Sequence, residues 1–127
     1  MNKNVQFDYL YRDGANCKAW GTIVFSNPDE LSVSEVDERL RRAFNSDSQF
    51  VAGQVEIPEI FLYRDGNLTS DDHCFHEYDH VELTDDAVTD VQDRTMSDLL
   101  AQVEIASQRG WQAFNPCDWI IRNTTTR

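Results

Sequence analysis

Val5, Phe7, Tyr9 and Tyr11 alternate with Gln6, Asp8, Leu10 and Arg12, the two-residue period of a half-buried strand. Asp13-Gly14 supplies the chemistry of a tight turn that favours positive φ. The run from Ala19 to Phe25 is rich in β-branched and aromatic residues and is closed by Asn27-Pro28, so the first quarter of the chain predicts a β-hairpin. Ser32 with Glu35 three residues on forms a capping box, and Val33, Val36, Leu40, Ala43 and Phe44 then recur at helical spacing. The outer face of this first helix offers Glu35 with Arg39 and Glu38 with Arg42 as i,i+4 pairs.

Beyond a loop at residues 46–49, Pro58 punctuates an apolar segment that predicts a strand at Ile60-Phe61-Leu62-Tyr63, followed by a turn at Asp65-Gly66. A further strand is expected from Phe75 to Leu83, then an acidic loop to about Gln92. Thr95 caps a second helix whose core face is Met96, Leu99, Leu100, Val103 and Ala106 and which stops at Gly110. Ile105 falls on the opposite face and hints at a partner. Tyr9-Leu10-Tyr11-Arg12-Asp13-Gly14 and Phe61-Leu62-Tyr63-Arg64-Asp65-Gly66 differ at one position. Two readings stand: two ββα units packed as one sheet, or two hairpins that converged on one turn sequence. Either way the fold class is α+β, an antiparallel sheet with two helices on one face, in a single domain over residues 1–127. Residues 111–127 are expected to be a C-terminal extension or an oligomer contact, adding a strand at Trp119-Ile120-Ile121 or docking on another subunit, with a loose Thr124-Thr125-Thr126 tail.

Charge changes the picture most. Eleven Lys plus Arg against 23 Asp plus Glu give a formal charge of -12, a field that repels phosphate backbones and anionic membranes, so nucleic acid and membrane are excluded as expected partners. The cations are almost all arginine, whose planar fork suits carboxylate or phosphate; in so acidic a chain each is expected first to pair with a neighbouring carboxylate. No apolar run reaches membrane-helix length and no signal-peptide block opens the chain, and Cys17, Cys74 and Cys117 are an odd, widely spaced set that reads as free thiols. A cytoplasmic location is expected.

Two constellations carry candidate chemistry. Residues 71–80 gather all three histidines, and His73, Cys74, His76 and His80 are the weak candidates for a metal. In a regular strand His76, Tyr78 and His80 would share one face, and no second cluster completes a four-ligand set, so a polar loop and strand edge is the plainer reading. Glycine-rich phosphate loops, nucleophile elbows and His-Glu-x-x-His are lacking, so neither an enzyme nor a cofactor is expected. The second constellation is aromatic plus arginine: Trp20, Phe75, Tyr78, Arg94, Arg109 and Trp111, with Arg122 near the end, rings that stack on a base and forks that take up phosphate, although most of these rings read first as core.

Tyr11-Arg12-Asp13-Gly14-Ala15-Asn16 with Lys18, the run from Gly21 to Pro28, the Ser-capped helix, His76-Glu77 and the late helix before Gly110-Trp111 resemble a group of small phage and prophage proteins, the anti-Thoeris sponge proteins of the first-described Thoeris anti-defence family. Cys17 stands where that pattern has an aromatic, and the tail after Trp111 is longer. The resemblance implies a homo-oligomer, dimer or larger, that holds a cyclic ADP-ribose or cyclic nucleotide signal between subunits and sequesters it without degrading it. On that reading Phe75 or Tyr78 stacks on the base, Arg94 and Arg109 neutralise the pyrophosphate, and Arg122 reaches across an interface. The alternatives are an acidic interaction protein that mimics nucleic acid to inhibit a host defence enzyme, supported by ten acids between Asp71 and Asp98 with Arg94 as the single fixed cation, and a metal-dependent enzyme using His73, His76 and His80.

Overall fold

The computed structural model describes residues 3–124, and Thr125 and Thr126 of the expected loose tail lie outside them. Four strands, β1 (Asn4–Arg12), β2 (Lys18–Phe25), β3 (Gln49–Phe50) and β4 (His76–Thr84), form one antiparallel sheet in the order β2-β1-β4-β3. Helices α1 (Val33–Ala43) and α2 (Met96–Arg109) cover one face, and a third helix, α3 (Pro116–Thr124), follows. The inward residues of β1 and β2, Val5, Phe7, Tyr9, Ile23 and Phe25, pack against Val36 and Leu40 of α1 and Leu99, Leu100 and Val103 of α2 in one cluster. Among the described residues no helix is long and apolar enough to cross a membrane.

Local chemistry accounts for these elements. The Ser32 side chain accepts from the Glu35 N–H, and Thr95 with Asp98 closes a full capping box in which each satisfies the other's backbone donor. Arg39 grips Glu104 with two hydrogen bonds of 2.9 and 2.8 Å, tying α1 to α2. In the hairpin Tyr9 stands opposite Gly21, and a Cβ there would meet the Tyr9 ring at 2.7 Å, which explains a glycine in mid-strand. The turn differs from expectation at Gly14: the left-handed residue is Asn16, with φ of 68°, while Gly14 lies against Asp71, whose carbonyl accepts its N–H at 2.9 Å.

Several expectations are overturned. Residues 60–63 are not a strand; Phe61 and Tyr63 instead stack ring on ring at 4.6 Å and pack with Tyr11 and Trp119 in a second aromatic cluster. The echo of Tyr9–Gly14 in Phe61–Gly66 is therefore not a structural repeat: the first copy is strand and turn, the second is turn alone. The segment around Trp119 is helix, started by Pro116 with Asn115 accepting the Cys117 N–H at 2.8 Å, the sequence logic of a capped N-terminus.

The bulge in β4 decides which side chains face inward. Asp8 pairs with His80 but Tyr9 pairs with Tyr78, so Asp79 is an extra residue, and the alternation reverses across it. His76 and Tyr78 are buried on one side of the bulge and Val81 on the other, while His80 emerges on the opposite face beside Asp8. The expectation that His76, Tyr78 and His80 share one face fails for this reason.

His76 joins the two aromatic clusters. Fully buried, its ring touches those of Tyr9 and Phe50 in the main core and of Tyr11 and Phe61 in the second. Its Nε2 accepts the Ile60 N–H at 2.9 Å, so the proton of the neutral ring is on Nδ1, which has no hydrogen-bond partner. Burial first, and the neighbouring His73 second, lower its pKa to about 3 from 6.5. Because the folded value lies below the unfolded one, the unfolded chain alone takes up a proton between them, and stability is lost as pH falls below 6.5. Moving from pH 7 to pH 5 should cost about 2 kcal/mol through this group. Urea unfolding of the wild type and of His76→Gln at both pH values tests it: the variant keeps an acceptor for Ile60 and should lose that increment of pH dependence. Equal pH dependence in the two proteins would contradict the assignment.

Candidate functional site

Where an acidic chain leaves its cations unpaired is where it can receive an anion. Lys3, Arg12, Arg39, Arg41, Arg42 and Arg94 each close an ion pair with Asp or Glu. Lys18, Arg64, Arg109 and Arg122 close none among the described residues, and the Arg64 guanidinium is engaged by the carbonyls of Ile60 and Phe61. Of these, Arg109 and Arg122 border clefts.

They flank one groove. A cleft of about 580 Å³ is lined by Gln54, Glu59, Gln112, Phe114, Trp119 and Arg122 among others. A second, of about 350 Å³, is lined by Gln54, Gln102, Ile105, Ala106, Arg109 and Gln112. Gln54 and Gln112 belong to both, so the clefts meet along that pair. The floor is the 3-10 turn Ala52–Val55, and the walls are the link 110–115 with α3 on one side and the end of α2 on the other. Gln54 fixes the link: its amide N–H donates to the Gly110 carbonyl at 3.3 Å and its Oε1 accepts the Gln112 N–H at 2.7 Å. The exit of α2 into the link needs a residue with φ of 94°, which Gly110 supplies.

Arg122 lies over the Phe114 ring, 5.6 Å from its centroid, a cation–π contact that holds the guanidinium at the cleft. Glu59 brings a carboxylate to the same cleft, where its Oε1 accepts the Trp119 indole N–H at 3.0 Å. The groove therefore combines a flat cation, two amides, half-buried aromatic surface and one acid that is already engaged. Such a set can bind and orient a small polar ring compound, and among the residues that line it no nucleophile is paired with a base.

The other expected ligand residues lie elsewhere. Arg94 is 7 % exposed, and all its guanidinium N–H groups are used: Asp90 takes two, the Val55 and Glu56 carbonyls one each and Gln102 one. Burial opposes ionisation of Asp90, but hydrogen bonds from the Arg94 side chain and backbone and its positive charge outweigh it and hold the carboxyl below its ordinary range. Arg94 is a structural hub with nothing left for a pyrophosphate. Tyr78 is buried between Phe7 and Phe44, its hydroxyl donates to Asp37 at 2.5 Å, and no ring face remains for a base. Phe75 is half-buried beside His73, and Trp20 stands exposed on the edge strand β2; neither lines the groove.

The metal candidates also part company. His73 Nδ1 accepts the Phe75 N–H and its Nε2 then donates to the Arg12 carbonyl at 2.7 Å, leaving no lone pair. Cys74 is buried, and burial raises its thiol pKa. His76 is enclosed by rings, and only His80 retains ligand-like surroundings. Sequence reasoning missed Gln54, Gln112 and Phe114 and misread Trp119; the one available signal was Asn115-Pro116, a helix start that puts Trp119 and Arg122 on adjacent turns. No protein-family model, no curated protein and no solved structure matches this chain.

The hub role of Arg94 is testable. Arg94→Met should lower stability in urea by about 3–5 kcal/mol, the cost of stranding a buried carboxylate. Adding Asp90→Asn should cost less than the sum of the two single changes. A loss no larger than that of an exposed residue, within about 0.5 kcal/mol, would return Arg94 to the list of ligand residues.

Proposed function

We propose that this chain is a binding protein that captures a small phosphorylated ring compound in the groove between Arg109 and Arg122 and releases it chemically unchanged. The observation that carries the reading is the pair of arginines without carboxylate partners on one groove, in a chain of formal charge -12 whose other described arginines are engaged. The guanidinium of Arg122, placed over Phe114, offers a stacking plane to a base, and its N–H fork with that of Arg109 suits two phosphates of one ligand. Gln54 and Gln112 supply neutral donors and acceptors between them. The likeness to the anti-Thoeris sponge proteins points to cyclic ADP-ribose and cyclic nucleotides as the ligand class.

The groove is open, and a second copy of the chain is the natural lid. Ile105, 49 % exposed, stands in it beside Arg109, and apolar surface next to an unneutralised cation is the composition of an interface that closes over a bound anion. Assembly as a dimer or larger is thus part of the proposal, as is action in the cytoplasm where such signals are made.

Calorimetric titration with isomers of cyclic ADP-ribose and with cyclic dinucleotides tests the reading. Binding is expected with at least one of them, and Arg122→Ala and Arg109→Ala should each weaken it by about tenfold to a hundredfold, the range of a charge-assisted hydrogen bond. Trp20→Ala should leave affinity unchanged. Ligand recovered intact after heat denaturation separates capture from hydrolysis; absence of heat with every nucleotide removes the proposal.

A further inference from the structure

On the face of the sheet turned away from the helices, the bulge at Asp79 sets His80 among carboxylates. His80 Nδ1 and Asp79 Oδ2 are 2.6 Å apart, and a carboxylate can only accept, so the proton of the neutral ring sits on Nδ1. Nε2 then carries a lone pair, and it faces Asp8 Oδ2 at 3.4 Å and Glu82 Oε1 at 3.9 Å. Three electron-pair donors converge there, steadied in part by the Gln6 amide N–H, and a positive charge among them, a proton on Nε2 or a cation, would complete the set. No lysine or arginine provides it: among the described residues Asp8, Asp79 and Glu82 close ion pairs with His80 alone.

We propose that Asp8, His80 and Glu82 form a binding site for a divalent first-row transition metal, with Asp79 as the carboxylate that orients the imidazole. The three ligand atoms lie within 4.8 Å of one another. Bonds of about 2.1 Å to a tetrahedral ion place ligand atoms about 3.4 Å apart, so the separation of Nε2 from Asp8 already fits and Glu82 needs a small side-chain movement. Two strands hold the set: Asp8 pairs with His80 across β1 and β4, and Gln6 pairs with Glu82 one step along. The oxygens are themselves oriented. Gln6 Nε2 donates to both Asp8 oxygens and, at 3.0 Å, to Glu82 Oε1, and the Thr22 hydroxyl donates to Asp8 Oδ1 at 2.8 Å. A carboxylate behind the histidine and hydrogen bonds behind the carboxylates are the surroundings that sharpen a metal site. One imidazole with two carboxylates favours zinc, cobalt or manganese over calcium or magnesium, which prefer an all-oxygen shell. Glu82 and His80 are about half exposed, so the remaining coordination positions open to solvent and affinity in the micromolar range is expected.

The test is titration of metal-stripped full-length protein with zinc chloride, followed by calorimetry and by the imidazole resonances in NMR, with cobalt chloride giving the visible bands of a four- or five-coordinate site. One equivalent should bind, and the His80 ring signals should shift while those of His73 and His76 stay. His80→Ala and Asp8→Asn should each weaken binding by at least about tenfold. Glu38→Gln, on the exposed face of α1, should not. If either site variant loses its fold by circular dichroism, the NMR shift in the wild type decides alone. Absence of binding at millimolar zinc would show that a proton is all that Nε2 holds and would overturn the proposal. So would equal binding by His80→Ala, equal affinity for calcium, or zinc that binds without moving His80.

Discussion

Residues 51–75 cross the molecule with a single 3-10 turn and no ladder, yet much of this stretch is buried, and buried backbone groups must find partners. Side chains provide them. Arg94 takes the carbonyls of Val55 and Glu56, Tyr9 that of Pro58, His76 the N–H of Ile60, and Tyr63 donates to the His73 carbonyl from within the stretch. These bonds fix the path of the segment as firmly as a strand would, and they set the price of moving any one of them: a polar group stranded without water.

The groove is a consequence of that path. With Val55 and Glu56 clamped to Arg94, the preceding turn can hold Gln54 against Gly110 and Gln112, and that contact steers the link from α2 to α3. Trp119 then reaches back to Glu59 and packs on Phe61 and Tyr63, which seats α3 over the second aromatic cluster. The two arginines that border the groove are thus placed by a third that is itself buried. In so acidic a chain most guanidinium groups are drawn to a nearby carboxylate, and those without one mark the surface that differs in kind from the rest.

The hairpin, both capped helices and their apolar faces were legible in the sequence because each rests on interactions within a few residues: alternation, a Ser or Thr cap, an Asp or Glu three positions on. What failed depended on partners far away. Ile60-Phe61-Leu62-Tyr63 has the composition of a strand, but the Ile60 N–H went to His76, and its rings found Tyr11 and Trp119. Trp119-Ile120-Ile121 has the same composition and became helix once Asn115 and Pro116 started it. Arg94 looked like a ligand residue by type, whereas its partners Val55, Glu56 and Gln102 are set by the tertiary fold. Tyr78 was misjudged in the same way, since only the pairing of β4 with β1 shows that its ring points inward.

The bulge at Asp79 was the least readable feature and the one with the widest effect, because one added residue exchanges the two faces of everything beyond it. Without it His80 would enter the core with His76 and Tyr78, and Glu82 would follow it, leaving Asp8 on the far face. With it an imidazole is delivered to those carboxylates. The whole-molecule field then bears on the two surfaces in opposite senses: it draws a dication toward Asp8, His80 and Glu82 and resists an anion approaching Arg109 and Arg122. Short-range contacts in the groove must overcome that resistance, which screening by salt reduces. An anion held there would owe its affinity to close hydrogen bonding and stacking on Arg122, and little to attraction at a distance.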